Sequence, residues 1–305
     1  MKILISTSSF GVYDKTPLTL LKEKGFEVIT NPYNRKLSEN EISELLVDVD
    51  GLIAGTEPLT EKVLTSANKL KVISRCGTGM DNVNSDAAAR LGIKVLNTPD
   101  APTLAVAELA VGSILSLLRK ISWMDRDIRA GNWKKRMGNL LYGKKVGIIG
   151  FGRIGKKTAE LLTAFGVEIA YCDLSPQSCS IHCSNKDGDE ILKWADIITL
   201  HLSPSKDCRH IIGEKELGMM NKGSLLINLS RGGLVDEAAL YHSLKEGHLA
   251  GAALDVYEKE PYSGNLKELE NVILLPHIGS YAVESRINME IESLQNLLKG
   301  FDACP

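Results

Sequence analysis

Residues 146–155, VGIIGFGRIG, fall near the middle of a 305-residue chain and limit what the sequence around them can fold into. Val146, Gly147, Ile148 and Ile149 form a short apolar run suited to a strand buried on both faces, and Gly150-x-Gly152-x-x-Gly155 follows it at once. Lys156 to Phe165 then has the period of a helix, with Ala159, Leu161, Leu162 and Phe165 along one apolar stripe. In such a strand, turn and helix, Gly150 permits the tight turn, Gly152 lets backbone approach a pyrophosphate, and Gly155 lets helix and strand pack closely. The anion would sit on the helix N-terminus, where free N–H groups and the dipole favour it.

A second strand is expected over Val167 to Cys172 and ends in Asp173, 18 residues after Gly155. A carboxylate there accepts hydrogen bonds from a ribose 2′-OH and repels a 2′-phosphate. Leu174, Ser175, Pro176 and Gln177 follow and bring no cation, so NAD is favoured over NADP.

Composition narrows the classes further. A hydrophobic content of 44% supplies substantial cores, and a net charge of −2 gives no basic field for nucleic acid. No apolar run approaches the roughly 18 residues that span a bilayer, and MKILIS is too short for a secretory signal, so a cytosolic protein with no membrane partner is expected. The six cysteines, Cys76, Cys172, Cys179, Cys183, Cys208 and Cys304, show no framework spacing, which predicts reduced thiols. Cys179, His182 and Cys183 in CSIHC lack a second pair at ligand spacing, so no metal site is expected.

Along the chain, strand-like and helix-like segments alternate in two successive runs. KILIS, FEVIT, DGLIAG, LKVISRCG and IKVLN make up the first, with Ser38 and Glu41 forming a capping box in SENEISELL. KKVGIIG, EIAYCD, DIITLH, SLLINLS, LAGAALDV and VILLPH make up the second. The fold class is therefore α/β, with two Rossmann-like, doubly wound parallel sheets. Thr103 to Arg119 is a largely apolar helix candidate, suited to burial inside the chain or against a second subunit. The amphipathic segment from Tyr281 to Gly300 has no sheet of its own left to cover. If it packs on the first run, the cofactor domain is an insertion. The expected substrate domain is then 1–97 plus 281–305, and the expected NAD-binding domain 98–280.

Three segments after the fingerprint carry side chains that a sheet does not need. INLSRGGLVDE places Arg231 past one strand, LDVYEKEP places Asp255, Glu258 and Glu260 past the next, and LLPHIGS places His277 past another. All three lie beyond C-terminal strand ends, where ligands bind in open α/β sheets. An Arg, an acid and a His there suit a carbonyl flanked by a carboxylate: Arg grips the carboxylate, His exchanges the alcohol proton, and the acid holds the imidazole.

GFGRIG with Asp173, NLSRGGLVDE, GAALDVYEKEP, LPHIGS and the earlier RCGTGMDNV resemble, in order and spacing, the motifs of the D-2-hydroxyacid dehydrogenase family over essentially the whole chain. The short 3-phosphoglycerate dehydrogenase branch, without a regulatory domain, is the most similar in appearance. The resemblance implies the discontinuous two-domain fold, a cleft active site, hydride transfer between NAD(H) and a small D-2-hydroxy acid or 2-keto acid, and a homodimer built around the cofactor domain. By motif it makes Arg231 the substrate-binding and polarising group, Glu260 the partner of the histidine, His277 the acid/base and Asp255 a contact on the nicotinamide side, with Glu258 a neighbour without a role. Arg153 and Ile154 would complete the pyrophosphate turn. Backbone N–H groups in Arg75, Cys76, Gly77, Thr78 and Gly79 would cradle the substrate carboxylate, with Thr78 approaching the cofactor.

One departure concerns the substrate. Where the phosphoglycerate branch has a phosphate-binding Arg, this chain has Gly55, with Glu57 beside it. Lys134, Lys135 and Arg136 in NWKKRMG offer another place for a second anionic group, in a segment that in the family can reach a partner's cleft. The alternative function is an NAD(H)-sensing binding module like the C-terminal binding protein corepressors, which NADH oxidation with a panel of 2-keto acids would separate from an enzyme.

Overall fold

Short strands of branched aliphatic residues, each followed by a helix with one apolar face, leave a chain little choice but parallel pairing with helices on both sides. The computed structural model describes residues 1–175, 177–203 and 208–302; Pro176 and Cys304, cited above, lie outside them. The chain divides into two units, Met1–Pro102 with Ser280–Pro305, and Thr103–Gly279.

The first unit alternates β1 (Lys2–Ile5), α1 (Thr16–Glu23), β2 (Glu27–Thr30), α2 (Glu39–Leu45), β3 (Gly51–Ala54), α3 (Glu61–Ser66), β4 (Val72–Arg75), α4 (Ser85–Arg90) and β5 (Lys94–Asn97). Its five parallel strands run in the order β2-β1-β3-β4-β5, with Ile5 opposite Ile53. The order reverses between β1 and β3, which is where such sheets open a crevice for ligands. Ser38 and Glu41 do form the capping box of α2.

The second unit runs α5 (Thr103–Arg119), α6 (Ile121–Arg129), β6 (Lys145–Ile149), α7 (Arg153–Thr163), β7 (Glu168–Cys172), β8 (Ser184–Asn185), α8 (Gly188–Trp194), β9 (Ile197–Leu200), α9 (Glu214–Met219), β10 (Leu225–Asn228), α10 (Glu237–Lys245), β11 (Gly251–Leu254) and β12 (Val272–Leu274). Its seven parallel strands lie in the order β12-β11-β10-β9-β6-β7-β8, and the switch point falls between β6 and β9. α5 buries Val106, Ala107, Ala110, Val111, Ile114, Leu117 and Leu118 within this unit, against α7 and the sheet. Each fully buried Val, Ile or Leu among them contributes roughly 1.5–3 kcal/mol.

α11 (Val283–Asp302) returns to the first sheet. Met289, Leu294 and Leu297 join Ile3, Ile5, Leu21, Ile53 and Val72 in one cluster. The helix approaches so closely at Gly300 that an added Cβ would fall 2.5 Å from Val72 Cγ1. Polar contacts fix its azimuth: Arg286 Nε donates to the buried Glu290 (3.0 Å), Gly11 N–H donates to the same carboxylate (2.9 Å), and Asn296 Nδ2 donates to the Asn97 carbonyl (2.8 Å). Thr98 N–H donates to the Gly77 carbonyl (3.1 Å) and Ser285 Oγ to the Ala101 carbonyl (3.1 Å), which keep residues 98–102 with the first sheet. Among the described residues no helix is long and apolar enough to cross a membrane.

A fragment of residues 103–279 is expected to unfold in urea as one cooperative transition and to bind NADH. Residues 1–102 alone are expected to lack such a transition, because the face that α11 covers would be left in water. Circular dichroism on both fragments checks this, and full cooperativity of 1–102 would contradict it.

Candidate active site

The fingerprint turn is shaped by what its glycines leave out. Gly150 has φ +90°, and a Cβ there would lie 2.6 Å from the His201 carbonyl oxygen, since β6 and β9 are neighbours at the switch point. At Gly155 a Cβ would meet the Gly150 carbonyl oxygen at 2.2 Å, so any side chain would push α7 off β6. Gly152, by contrast, has nothing within 4 Å, and as the N-cap of α7 it brings no side chain to cap the helix. An open glycine before an uncapped helix start has the shape and the dipole that a pyrophosphate requires. Ile154 packs half-buried on the core while Arg153 is exposed. Asp173 is tied to this turn directly, because its Oδ2 accepts from Phe151 N–H (2.7 Å) and its Oδ1 from Ser175 N–H (3.3 Å). His201, at the end of β9, lies 3.0 Å through Nε2 from Thr199 Oγ1, and burial pushes it down to about 4, so it is neutral beside the turn.

Arg231, Glu260 and His277 lie in the loops after β10, β11 and β12. Asn228, buried at the end of β10, bends the first of these: its Oδ1 accepts from Ser230 N–H (3.1 Å) and its Nδ2 donates to the Arg231 carbonyl (2.9 Å). Ser230 Oγ anchors the turn to the Leu200 carbonyl, and Arg231 Nη1 donates to the Ser230 carbonyl (2.7 Å). A Cβ at Gly232 would sit 1.7 Å from the Tyr257 carbonyl oxygen, so the Arg231 turn and the 255–260 loop touch only because that side chain is missing.

His277 Nδ1 lies 2.9 Å from Glu260 Oε2, and Glu260 Oε1 accepts from Tyr257 N–H (3.2 Å). The His277 side chain is 48% exposed and its Nε2 has no partner among the described residues. The backbone at His277 has φ +58°, a left-handed conformation that costs a residue with a side chain about 1–3 kcal/mol. Asp255 accepts from Ile278 N–H and Gly279 N–H, each at 2.7 Å, which fastens the backbone on the C-terminal side of His277. Asp255 is 0% exposed, and burial pushes its carboxyl up against the opposing pull of those N–H groups. Both Asp255 oxygens thus accept from the backbone that follows His277. Glu258 turns away to His210 (2.9 Å) and Arg209 (3.7 Å).

In the first unit the turn after β4 differs from the expected cradle at two positions. Cys76 is 2% exposed inside the core cluster, and its N–H donates to the Ala54 carbonyl (2.9 Å). Gly77 N–H donates to Thr98 Oγ1 (2.8 Å) and so is not available to a substrate. The N–H groups of Thr78 and Gly79 have no partner among the described residues, and Asn97 Nδ2 holds the turn through the Thr78 carbonyl (2.8 Å). The Arg75 guanidinium folds back on the Cys76 carbonyl.

The Lys134 to Arg136 cluster is not brought to any of these groups within its unit. Arg136 pairs with Asp127 (2.7 Å) and Glu270 (3.3 Å) and lines a cavity of about 400 Å³ with Lys144, Ile197, Leu225 and Asn271, at the starts of the strands, whereas His277 lies past their ends. Lys134 and Lys135 are exposed. Cys179 and Cys183 both lie against the core, and burial, with the Cys179 thiol nearby, pushes the Cys183 thiol up to about 12. Among the described residues no three His, Cys, Asp or Glu gather as a metal site. Asn228 and Gly232 were not singled out in the sequence, although Asn two residues before a turn is an Asx-turn signal.

The profile of the D-isomer specific 2-hydroxyacid dehydrogenase NAD-binding domain matches residues 111–279. The chain is 39% identical over 296 residues to a D-3-phosphoglycerate dehydrogenase of Methanocaldococcus jannaschii, covering 93% of this chain but only 55% of that relative's length. It is 34% identical to a hydroxypyruvate reductase of Thermotoga maritima, covering 94% of this chain and 95% of the relative. A crystal structure of a glyoxylate reductase from Paecilomyes thermophila superposes with a TM-score of 0.89 at 30% identity, over 99% of this chain and 95% of the other. A dinucleotide turn and an Arg, Glu and His past the strand ends, on two parallel sheets, thus accompany sequence identity along nearly the full chain, which belongs to the NAD-dependent D-2-hydroxyacid dehydrogenases.

Proposed function

We propose that the chain is a cytosolic, homodimeric reductase of small 2-keto acids that prefers NADH. The observation that carries this reading is the His277–Glu260 pair, with one ring nitrogen held and the other open. Gly150, Gly152, Arg153, Ile154 and Gly155 hold the pyrophosphate, and Asp173 takes the adenosine ribose. When bound, NADH supplies the hydride. His277 donates a proton from Nε2 to the carbonyl oxygen, and Glu260 fixes the tautomer and steadies the charge of the imidazolium form. Arg231 grips the carboxylate and polarises the carbonyl.

Trp133, at 83% exposed, and Met137, at 90%, stand with Leu140 and Tyr142 on one segment after α6. Apolar side chains exposed in such number support a second copy as their cover. Light scattering at micromolar concentration is expected to give a dimer mass, and Trp133→Asp with Met137→Asp to shift it toward monomer.

His277→Ala is expected to lower kcat for 2-keto acid reduction by roughly 10²- to 10⁴-fold while NADH affinity changes less than about threefold; unchanged turnover would remove His277 from proton transfer. Asp173→Ala is expected to weaken NADH by about tenfold or more and to bring NADPH closer to it, which steady-state constants with both cofactors check.

A further inference from the structure

The cavity of about 400 Å³ at the starts of the second sheet's strands has no part in the reaction described above, and it carries more cation than its own acids use. Its inner lining is apolar: Leu117, Trp123, Ile197 and Leu225 are buried, Trp123 being the most exposed of them at 7%. Lys120 and Lys144, half-buried, and Lys222, exposed, line it as well. None of the three ammonium groups has an ion pair or hydrogen bond among the described residues. Of the two carboxylates in the lining, Glu270 is held by Arg136 (3.3 Å), which Asp127 also neutralises (2.7 Å), and Asp196 accepts from Lys145 N–H (3.0 Å). Three lysines without a counter-charge thus share the cavity with one carboxylate, Asp196, that has no cation of its own.

Cations gathered over an apolar wall repel one another, and the low dielectric of that wall focuses their field into the cavity, so an anion entering it is attracted more strongly than at an open surface. The polar groups deeper in the lining point the same way. Ser224, 2% exposed just before β10, has a hydroxyl with no hydrogen-bond partner among the described residues. A buried hydroxyl left so is costly, and an acceptor oxygen from a ligand would satisfy it. The carbonyls at the end of α5, which would oppose an anion, are already taken: Asn139 N–H donates to Leu118 (2.9 Å) and Lys120 N–H to Leu117 (3.2 Å). The three lysines also lie outside residues 133–142, the segment whose exposed apolar side chains are assigned above to a second copy.

We propose that this cavity is a second ligand site, one that binds a compact multivalent oxyanion, a phosphate or polycarboxylate group, through Lys120, Lys144 and Lys222 with Ser224 as a hydroxyl donor. Calorimetric titration of the full chain tests it, with NAD⁺ present at saturation so that the dinucleotide turn, itself an anion site, is filled. Pyrophosphate and citrate are the probes at constant ionic strength, and acetate is the monovalent control. Pyrophosphate, citrate or both are expected to bind with a Kd of about 1 mM or tighter, and acetate at least about tenfold more weakly; the difference between the first two tells phosphate from carboxylate. Lys144→Ala with Lys222→Ala is expected to weaken the preferred anion by about tenfold or more. The same pair should leave turnover and Tm nearly unchanged, because neither ammonium has a partner to lose. Lys24→Ala with Lys62→Ala, which removes two exposed lysines of the first unit, is expected to change anion binding less than about twofold. The inference is overturned if neither probe binds, if acetate binds as well as they do, if the cavity pair leaves binding intact, or if the two lysine pairs weaken it equally.

Discussion

A buried carboxylate accepting two consecutive backbone N–H groups is the interaction on which the proposed chemistry depends. Asp255 never reaches solvent, and its two oxygens, together with Glu260 on the imidazole, hold residues 277–279 in a conformation that a histidine avoids. The strain is local and the compensation adjacent. Because Asp255 follows β11 and His277 follows β12, two neighbouring parallel strands, the same sheet register that places Ala253 opposite Ile273 also sets the distance from Glu260 to the imidazole.

Missing side chains perform a comparable task elsewhere. The turn after β6 and the Arg231 turn each depend on a glycine that a methyl group would force apart from backbone. Parallel sheets bring loop after loop to one edge, and glycine lets those loops approach within hydrogen-bonding reach.

Much of this was legible in the sequence. Strands of four or five apolar residues between amphipathic helices specify parallel α/β sheets, and Arg231, Glu260 and His277 could be placed past strand ends because each follows such a run. What could not be read was which polar atom satisfies which. Asp255 and Glu260 are both acids after β11, and only the fold shows one buried against backbone N–H groups and the other against the imidazole. Gly77 looked like an anion cradle until Thr98, 21 residues away, took its N–H. Arg136 looked free until Asp127 and Glu270 closed on it. Apart from Asp127, nine residues from Arg136, these partners are distant in sequence, and composition carries no trace of them.

The placement of α11 has a consequence for synthesis. At about 5–20 residues per second, the ribosome takes on the order of 10–35 s to make the inserted unit, Thr103–Gly279, between the five strands of the first sheet and the helix that covers them. Throughout that interval Ile3, Ile5, Ile53 and Val72 have no lid, whereas the later-made unit has all of its own helices as soon as it emerges. Nascent-chain maturation therefore runs against the usual N-terminal-first order, and the half-built first sheet is the segment of this protein that a holdase chaperone would meet.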